Sequence, residues 1–370
     1  MKRLSIGILL IMLVAGIIIQ QCFACTGIAV KTTDGKLIHG RTLEFGVPVD
    51  CGFAFIPRNI DFNGHLPDGS FGLKYKSKYA TLGAVNYGNP AIMDGINEKG
   101  LSVGAFYFSG YANYSEPTNA NKSKALSAVE FPNWILNQFA TVEEVRSAVE
   151  SNKAVIVPTT INGWGPQAPP LHYIVYDKTG KSIVIEPLNG ALKVWDNQLG
   201  KITNSPDFGF MITNLRNYLH LSPDNVPSLT LDSTTLLPFG QGTGMLGLPG
   251  DYTPPSRFVR ATFMSVFAPP SKNETEGVYQ VFHILNSFDI PLGIVREKAQ
   301  GQYFYDYTQA TIVRDPYNLK VYVRMYSDQT IRMVDMTKFD YNSPKAMAIS
   351  TMGYNQQVLD ITSTLKPYNK

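Results

Sequence analysis

The sequence lacks most of the features that mark a nucleic-acid-binding or membrane-embedded protein. Its 32 basic residues almost balance its 29 acidic residues, so the formal net charge is only +3. Such a balance offers no basic patch to a polyanion and little attraction to an acidic membrane surface. After residue 24, no apolar run approaches the roughly 17 residues that a membrane span needs. We therefore expect no nucleic-acid partner and no stable membrane insertion of residues 25–370.

Cysteine and histidine are also scarce, which limits metal binding and disulfide formation. The chain has 3 cysteines and 5 histidines, and the histidines show no metal-ligand spacing. We expect neither a metal nor a cofactor. Cys25 and Cys51 are the two cysteines beyond the N-terminal segment, and in an exported protein such a pair can form one disulfide. A histidine could alternatively serve Cys25 as a base, although none lies in a local signature of a cysteine enzyme.

The one long apolar run stands at the N-terminus, where residues 4–19 follow Lys2 and Arg3. A short polar stretch and the small residue Ala24 come next. This order of positive, apolar and small residues is typical of a secretory signal peptide. Cleavage of this segment would remove Lys2 and Arg3, which leaves 30 basic residues against 29 acidic ones.

We predict that residues 1–24 are a signal peptide and that residues 25–370 form a single mature domain. No Pro/Ser-rich linker, charge run or internal repeat divides the mature chain. Cys25 would then be its first residue, and the protein would be periplasmic or secreted. Lipidation of Cys25 and an uncleaved membrane anchor are the alternatives at this end of the chain.

An N-terminal cysteine has chemistry of its own. A thiol is nucleophilic only as thiolate, and the free α-amine, with an ordinary pKa of about 7.7–8.0, can accept the thiol proton. The alternation after Cys25 predicts a hairpin with a type I′ turn at Asp34 and Gly35, whose return strand ends near Arg41. The hairpin would bring Arg41 back toward Cys25, where a cation favours thiolate.

The order of the predicted elements favours an antiparallel α+β fold. Thr141 and Glu144 form a capping box for a helix, Pro132 is typical of a helix start, and Ser256 is expected to cap a later helix. Runs of strands after runs of helices favour this architecture over a doubly wound parallel sheet. The predicted helices cover 125–139, 142–150, 256–267 and 276–288, and the predicted strands include 101–108, 171–177, 182–186, 192–195, 303–313, 319–326 and 331–335.

Several motifs together resemble one known family. The chain reads Cys25-Thr-Gly, then Asp-Gly at 34–35, then Gly40-Arg-x-x-acid, and later blocks at 94–101, 203–206 and 240–258 agree as well. In these motifs it resembles the choloylglycine hydrolase and penicillin V acylase family, N-terminal nucleophile hydrolases that cleave linear amide C–N bonds. The resemblance covers nearly the whole mature chain. It implies a four-layer αββα sandwich with two antiparallel sheets, and a homotetramer.

The resemblance also implies roles for six residues, three of them in the first hairpin. Cys25 would be the nucleophile, with its α-amine as base and then as acid toward the leaving amine. Arg41 would keep the site electropositive. Glu44 stands where the family has aspartate, so the charge is retained but displaced by one methylene. This difference would mainly affect the contact of the carboxylate with Arg41 or with the α-amine.

The other three implied residues come from later blocks. The side-chain amide of Asn204 and the backbone N–H of Tyr107 would stabilise the oxyanion, and Arg257 matches the family's second active-site arginine. The position of Tyr107 tends to be Tyr in penicillin V acylases and Asn in bile-salt hydrolases. Tyrosine offers a flat apolar face to an aromatic or alkyl acyl group.

We therefore expect an exported amidase whose partner is a small N-acyl amide, with a preference for penicillin V or acyl-homoserine lactones. Bile-salt (choloylglycine) hydrolysis is the alternative activity. The alternative from another class is a non-catalytic exported binding protein on the same scaffold, with Cys25 bridged to Cys51 or lipidated.

Overall fold

The structure is a computed structural model that describes residues 24–46, 48–86, 91–161, 167–299, 301–351 and 353–367. The predicted signal peptide, residues 1–24, lies outside these residues except for Ala24. Within the described ranges, no helix has both the length and the apolar character needed to cross a membrane.

The described residues form strands and five α-helices. In chain order the strands are β1 (Cys25–Lys31), β2 (Leu37–Phe45), β3 (Cys51–Ile56), β4 (Asp61–His65), β5 (Phe71–Lys76), β6 (Thr81–Asn86), β7 (Asp94–Asn97), β8 (Ser102–Tyr107), β9 (Ala125–Ser127), β10 (Val155–Val157), β11 (Leu171–Tyr176), β12 (Ser182–Leu188), β13 (Ala191–Asp196), β14 (Leu229–Leu231), β15 (Thr234–Leu236), β16 (Val295–Ala299), β17 (Gln302–Asp315), β18 (Lys320–Met325), β19 (Arg332–Asp335) and β20 (Met347–Ser350). The helices are α1 (Phe131–Gln138), α2 (Val142–Glu150), α3 (Phe208–Asn214), α4 (Pro254–Phe267) and α5 (Glu274–Leu285).

Two large antiparallel sheets form the middle of the molecule. One has the strand order β1-β2-β17-β18-β19, with β16 also pairing with β17, and the other has the order β13-β12-β11-β8-β7-β6-β3-β20. Apolar side chains from both sheets pack between them, including Phe55 and Ile96 against Ile312. Phe106 and Ile174 of the larger sheet likewise pack with the start of β1.

Helices cover the outer face of each sheet. Helices α1 and α2 pack on the eight-stranded sheet, where Phe131 and Val145 join a core with Tyr173. Helices α4 and α5 pack on the six-stranded sheet, where Val281 contacts the core around Ile28. The order of layers is therefore αββα, and the predicted α+β sandwich with two antiparallel sheets is confirmed.

The first hairpin forms as predicted, but its turn and length differ from the prediction. Gly35 has a φ of 83°, and its N–H donates to the carbonyl of Thr32 at 3.0 Å, while Thr32 N–H donates to Lys36 O at 2.9 Å. A turn followed by one left-handed glycine is the geometry of a longer hairpin loop, not of a two-residue type I′ turn. Strand β2 then continues to Phe45, beyond the predicted end at Arg41, because β17 pairs along its other side.

The predicted helix at 125–139 is wrong over its first part. Ala125–Ser127 pairs in parallel with Val155–Val157 as a strand, and the helix begins only at Phe131 with Pro132 in its first turn. Pairing with a distant strand overrides the helical spacing. One half of the capping box is confirmed, because the Thr141 hydroxyl accepts from Glu144 N–H at 3.2 Å ahead of α2. The Glu144 carboxylate accepts from Ala140 N–H at 2.7 Å, one residue before the N-cap.

The two later helices begin earlier than predicted. Helix α4 has Thr253, not Ser256, at its N-cap, since two prolines occupy its first turn, where a missing N–H costs nothing. Helix α5 spans Glu274–Leu285, and the Asn273 side chain caps it by accepting from Glu276 N–H. The last predicted residues, Asn286–Phe288, form a 3-10 turn instead.

Candidate active site

The site is built around the first residue of β1. Cys25 lies opposite Leu43 in β2, and Gly27 lies opposite Arg41. On its other edge, β1 exchanges two backbone hydrogen bonds between Gly27 and Ile202, of 2.8 and 3.1 Å. A Cβ at position 27 would lie 2.7 Å from Ile202 Cγ2 and 2.7 Å from Phe106 Cζ, so this close approach requires glycine. It brings Asn204, two residues beyond Ile202, beside Cys25.

Arg41 lies directly against the Cys25 thiol. Its Nη2 donates to Cys25 Sγ at 2.8 Å and its Nη1 to Ala105 O at 2.6 Å, and its guanidinium lies 4.3 Å above the Phe106 ring. Burial raises the pKa of the Cys25 thiol, and the charge of Arg41 opposes this increase. Arg41 therefore acts in the predicted direction, but burial outweighs it. The buried group at rest is a thiol that needs a base.

Asn204 and Arg257 enclose the backbone of Cys25. Cys25 N–H donates to Asn204 Oδ1 at 2.8 Å, and Arg257 Nη2 donates to the same oxygen at 2.7 Å. Arg257 Nη1 also donates to the carbonyl of Cys25 at 2.5 Å and to the Thr26 hydroxyl at 2.9 Å. The Cys25 nitrogen is a peptide N–H while Ala24 is attached, and cleavage after Ala24 would turn it into an amine in the same position.

The two predicted oxyanion residues contact each other. Asn204 Nδ2 donates to the backbone carbonyl of Tyr107 at 2.8 Å. A side-chain amide carries two N–H groups, so this bond leaves Asn204 a second donor for a substrate oxygen. The Tyr107 ring lies edge-on to Phe45, with ring centroids 6.5 Å apart. The contribution of the Tyr107 N–H to an oxyanion site stays a prediction.

Glu44 lies on the opposite face of the sheet from the thiol. Side chains alternate along a strand, so Glu44 projects with Thr42, whereas Arg41 and Leu43 project with Cys25. Thr308 donates its hydroxyl to Glu44 Oε1 at 2.8 Å. Burial raises the pKa of Glu44 to about 7, against the charge of Arg257, the hydrogen bonds of Thr42 and Thr308 and, last, the charge of Arg41. Glu44 thus lies beside Arg257 and Thr308, and no hydrogen bond joins it to Arg41 among the described residues.

Three acids that contribute to this region were not among the site residues predicted from the sequence. Asp94 is buried and pairs with Arg314 at 3.1 Å and with Arg41 at 4.0 Å. Glu186 accepts from the indole of Trp195 at 2.7 Å and supports the loop that carries Asn204. Asp306 is buried on β17 near Glu44. Asp306 follows three aromatic residues in β17 and Glu186 follows three apolar residues in β12, a signal from which both could have been found.

The Glu186 network reaches the Asn204 loop through a histidine. His172 Nδ1 lies 3.2 Å from Glu186 Oε1, and His172 Nε2 lies 3.0 Å from the carbonyl of Thr203. Phe208 N–H donates to Glu186 as well, at 2.9 Å. These bonds fix the backbone on both sides of Asn204. His172 is therefore a structural residue here and not a partner of the thiol.

The thiol faces an apolar pocket between the two sheets. The pocket encloses about 640 Å³, including its open mouth, which is within the usual range of small-molecule sites. Cys25 and Cys51 both contribute to its wall, and both are free thiols. No group of three metal-ligating side chains occurs among the described residues. Apolar wall residues are Leu43, Phe45, Val49, Ala84, Val85, Met93, Ala105, Tyr107, Leu171 and Ile312.

Comparison with known proteins identifies the family of the chain. Residues 25–349 match the family of linear amide C–N hydrolases, choloylglycine hydrolase family. The chain belongs to this family. It is 33% identical to the bile salt hydrolase/transferase of Clostridium perfringens over 334 residues, which cover 90% of this chain and 97% of that protein.

Two further comparisons extend this result. The crystal structure of a variant conjugated bile acid hydrolase from Clostridium perfringens superposes with a TM-score of 0.80 at 32% identity, over 91% of this chain and 100% of that one. The penicillin V acylase of Pectobacterium atrosepticum is 25% identical over 240 residues, 64% of this chain and 57% of that protein.

Proposed function

We propose that the mature chain hydrolyses linear N-acyl amides with Cys25 as nucleophile and its α-amine as base, and that conjugated bile salts are its leading substrates. The observation that carries the proposal is the Cys25 thiol, which lies 2.8 Å from Arg41 Nη2 and faces an apolar pocket. Such a pocket suits a bulky apolar acyl group. We also propose that cleavage follows Ala24 and that the protein is exported. A homotetramer stays a prediction.

The reaction uses groups on both sides of β1. The amine accepts the thiol proton, and the thiolate adds to the amide carbon while Asn204 donates to the developing oxyanion. The C–N bond then breaks as the ammonium returns its proton to the leaving nitrogen. Water hydrolyses the resulting thioester, and the amine accepts the proton of that water. One oxyanion donor typically contributes ~10²–10³ in turnover.

Similarity to bile salt hydrolases supports bile-salt conjugates over the penicillin V or acyl-homoserine-lactone preference that the sequence suggested. The relative named for bile salts matches 90% of this chain at 33% identity, whereas the penicillin V acylase matches 64% at 25%. One observation still favours the second candidate, an aryl or alkyl acyl amide. Tyr107 and Phe45 stand edge to face on the pocket wall, and flat aromatic rings of this kind suit such acyl groups.

A substrate panel on the mature protein tests the proposal. We expect kcat/KM to be higher for glycocholate and taurocholate than for penicillin V or an acyl-homoserine lactone, and Cys25→Ala to be inactive. Tyr107→Asn should increase the ratio of glycocholate to penicillin V hydrolysis. If no amide in the panel is cleaved, the enzymatic proposal fails. A wild-type preference for penicillin V would favour the second candidate.

The source of the base is tested separately. Intact mass should show a secreted chain that begins at Cys25. A variant that retains residues ahead of Cys25 has no α-amine there, so it should fold normally and be almost inactive. Full activity of the extended chain would eliminate amine catalysis and direct attention to a histidine. A diacylglyceryl adduct on Cys25 would support the lipidated alternative instead.

A further inference from the structure

Asp306 is a buried acid that the proposed mechanism does not use. It lies two residues before Thr308 on β17, so the two side chains project from the same face of the sheet. We call this side, with Thr26, Glu44, Thr308 and Asp306, the acid face. Asp306 is 4% exposed, and neither carboxylate oxygen makes a full hydrogen bond to another described residue. The backbone N–H of Ala24 lies against it.

The charges on the acid face are out of balance while the chain is uncleaved. Glu44 and Asp306 are the two acids, and Arg257 is the cation that acts on both. Val295, opposite Asp306 in β16, is uncharged, and His283 of α5 is exposed to solvent. On this face, two carboxyl groups therefore share one guanidinium, while Arg41 acts on Glu44 from the pocket side of the sheet. Burial, together with Glu44, raises the pKa of Asp306 to about 8.

Cleavage after Ala24 would supply the missing cation. The Cys25 nitrogen is one residue from the Ala24 nitrogen that Asp306 already faces, and it would become an α-ammonium. Two carboxylates would then stand against two cations. A buried charge is stable only when it is paired, so the acid face suits the cleaved chain better than the uncleaved one.

We propose that Asp306 is a second acidic positioning residue, which acts with Glu44 to hold the α-amine of Cys25 after cleavage. This inference rests on the proposed function, because it requires a free amine at Cys25. The amine would lie between Asn204 Oδ1 on one side and the acid face on the other. Asp306 acts on the thiol only through the amine, since the charges acting directly on the thiol are those of Arg41, Glu44 and Arg257.

The proposal predicts a change in the titration of the thiol and ammonium pair. A nearby carboxylate raises the pKa of an ammonium, and an opposite charge at short range is worth ~1–3 pKa units. Asp306→Asn should therefore lower the pH at which the pair loses its first proton, by about one unit. Asp306→Glu keeps the charge and should behave like the wild type.

The measurement is the alkylation rate of Cys25 by iodoacetamide from about pH 5 to about pH 10, with intact mass confirming that each chain begins at Cys25. Asp289→Asn is the matched control, because Asp289 is an acid whose charged neighbour is Arg324, outside the site. We expect the pH midpoint of the alkylation rate to decrease in Asp306→Asn and to stay at the wild-type value in Asp289→Asn. In a chain extended ahead of Cys25, the same substitution should have a smaller effect. A profile of Asp306→Asn that coincides with wild type would overturn the proposal.

A second measurement needs no folded Asp306→Asn protein. Carboxyl ¹³C NMR of the wild type, with Asp306→Glu for assignment, compares the titration of Asp306 in the mature and the extended chain. We expect a lower Asp306 pKa in the mature chain, and equal values would overturn the proposal. Neither measurement uses an amide substrate. Failure of the proposed function would appear in the substrate panel, and failure of this inference in the two titrations.

Discussion

Removing the cation beside the thiol gives the most direct test of how the site activates sulfur. Arg41→Met replaces the guanidinium, 2.8 Å from Cys25 Sγ, by an uncharged unbranched side chain. Burial already raises the pKa of the thiol, and Arg41 is the largest influence that lowers it. Loss of an opposite charge at this range is worth ~1–3 pKa units. The thiol pKa should rise, and thiolate at neutral pH should fall about 10- to 1,000-fold.

The same substitution also affects stability. Arg41 donates to Ala105 O, and it lies 4.0 Å from Asp94, which retains its closer pair with Arg314 at 3.1 Å. Breaking a buried ion pair typically costs 3–5 kcal/mol, and because Asp94 keeps one partner we expect about 3 kcal/mol. Urea unfolding followed by circular dichroism measures this loss and establishes the conditions in which the variant is folded.

Iodoacetamide alkylation against pH then measures the thiol. Arg260→Met is the matched control, because Arg260 is also a buried arginine that donates to two backbone carbonyls, but it is not among the charges that act on Cys25. We expect the alkylation midpoint to increase in Arg41→Met and to stay unchanged in Arg260→Met. Coincident midpoints for Arg41→Met and wild type would refute the argument.

Three further predictions concern the rest of the chain. The unfolded mature protein should show two reactive thiols, since Cys25 and Cys51 are both free, and a count of zero would revive the bridged alternative. Burial lowers the pKa of Lys201 from 10.5 to about 7, so the unfolded chain binds more protons between those values and this contribution to stability increases with pH there. The melting temperature of wild type relative to Lys201→Met should therefore increase as pH rises above about 7, and a constant difference would contradict this. Gly40→Ala should cost about 1–3 kcal/mol in urea unfolding, because its Cβ would lie 2.2 Å from Val281 Cγ1, whereas Gly250→Ala has open space and serves as the control.

Local patterns predicted the parts of the fold that depend on neighbours in sequence. The position of the first turn is sufficient to return Arg41 to the start of β1, even though the turn type was wrong. The capping box at Thr141 was predicted for the same reason. The strand at Ala125–Ser127 could not be predicted in this way, because its partner, Val155–Val157, is distant in the chain and overrides a helical pattern.

The acid face shows the same limit within the site. Thr308 meets Glu44 because β17 pairs with β2 from the far end of the chain, with a register shift between Thr308 and Ala310. No local signal aligns Asp306 with Cys25. The pocket is also assembled from both sheets, so its preference among acyl groups could not be read from Tyr107 alone. The motifs identified residues, whereas non-local pairing decided which of them meet.

The alternation of side chains along β1 and β2 separates two properties that many enzymes adjust with the same residues. Substitutions among the apolar pocket residues would alter which acyl group is accepted, whereas substitutions on the acid face, or of Arg41 beside the thiol, would alter the pH range of activity. The backbone of β1 and β2 lies between most residues of the two sets, although Glu44 also lines the pocket. Effects at independent sites usually add. Acyl selectivity and working pH could therefore evolve, or be engineered, one at a time.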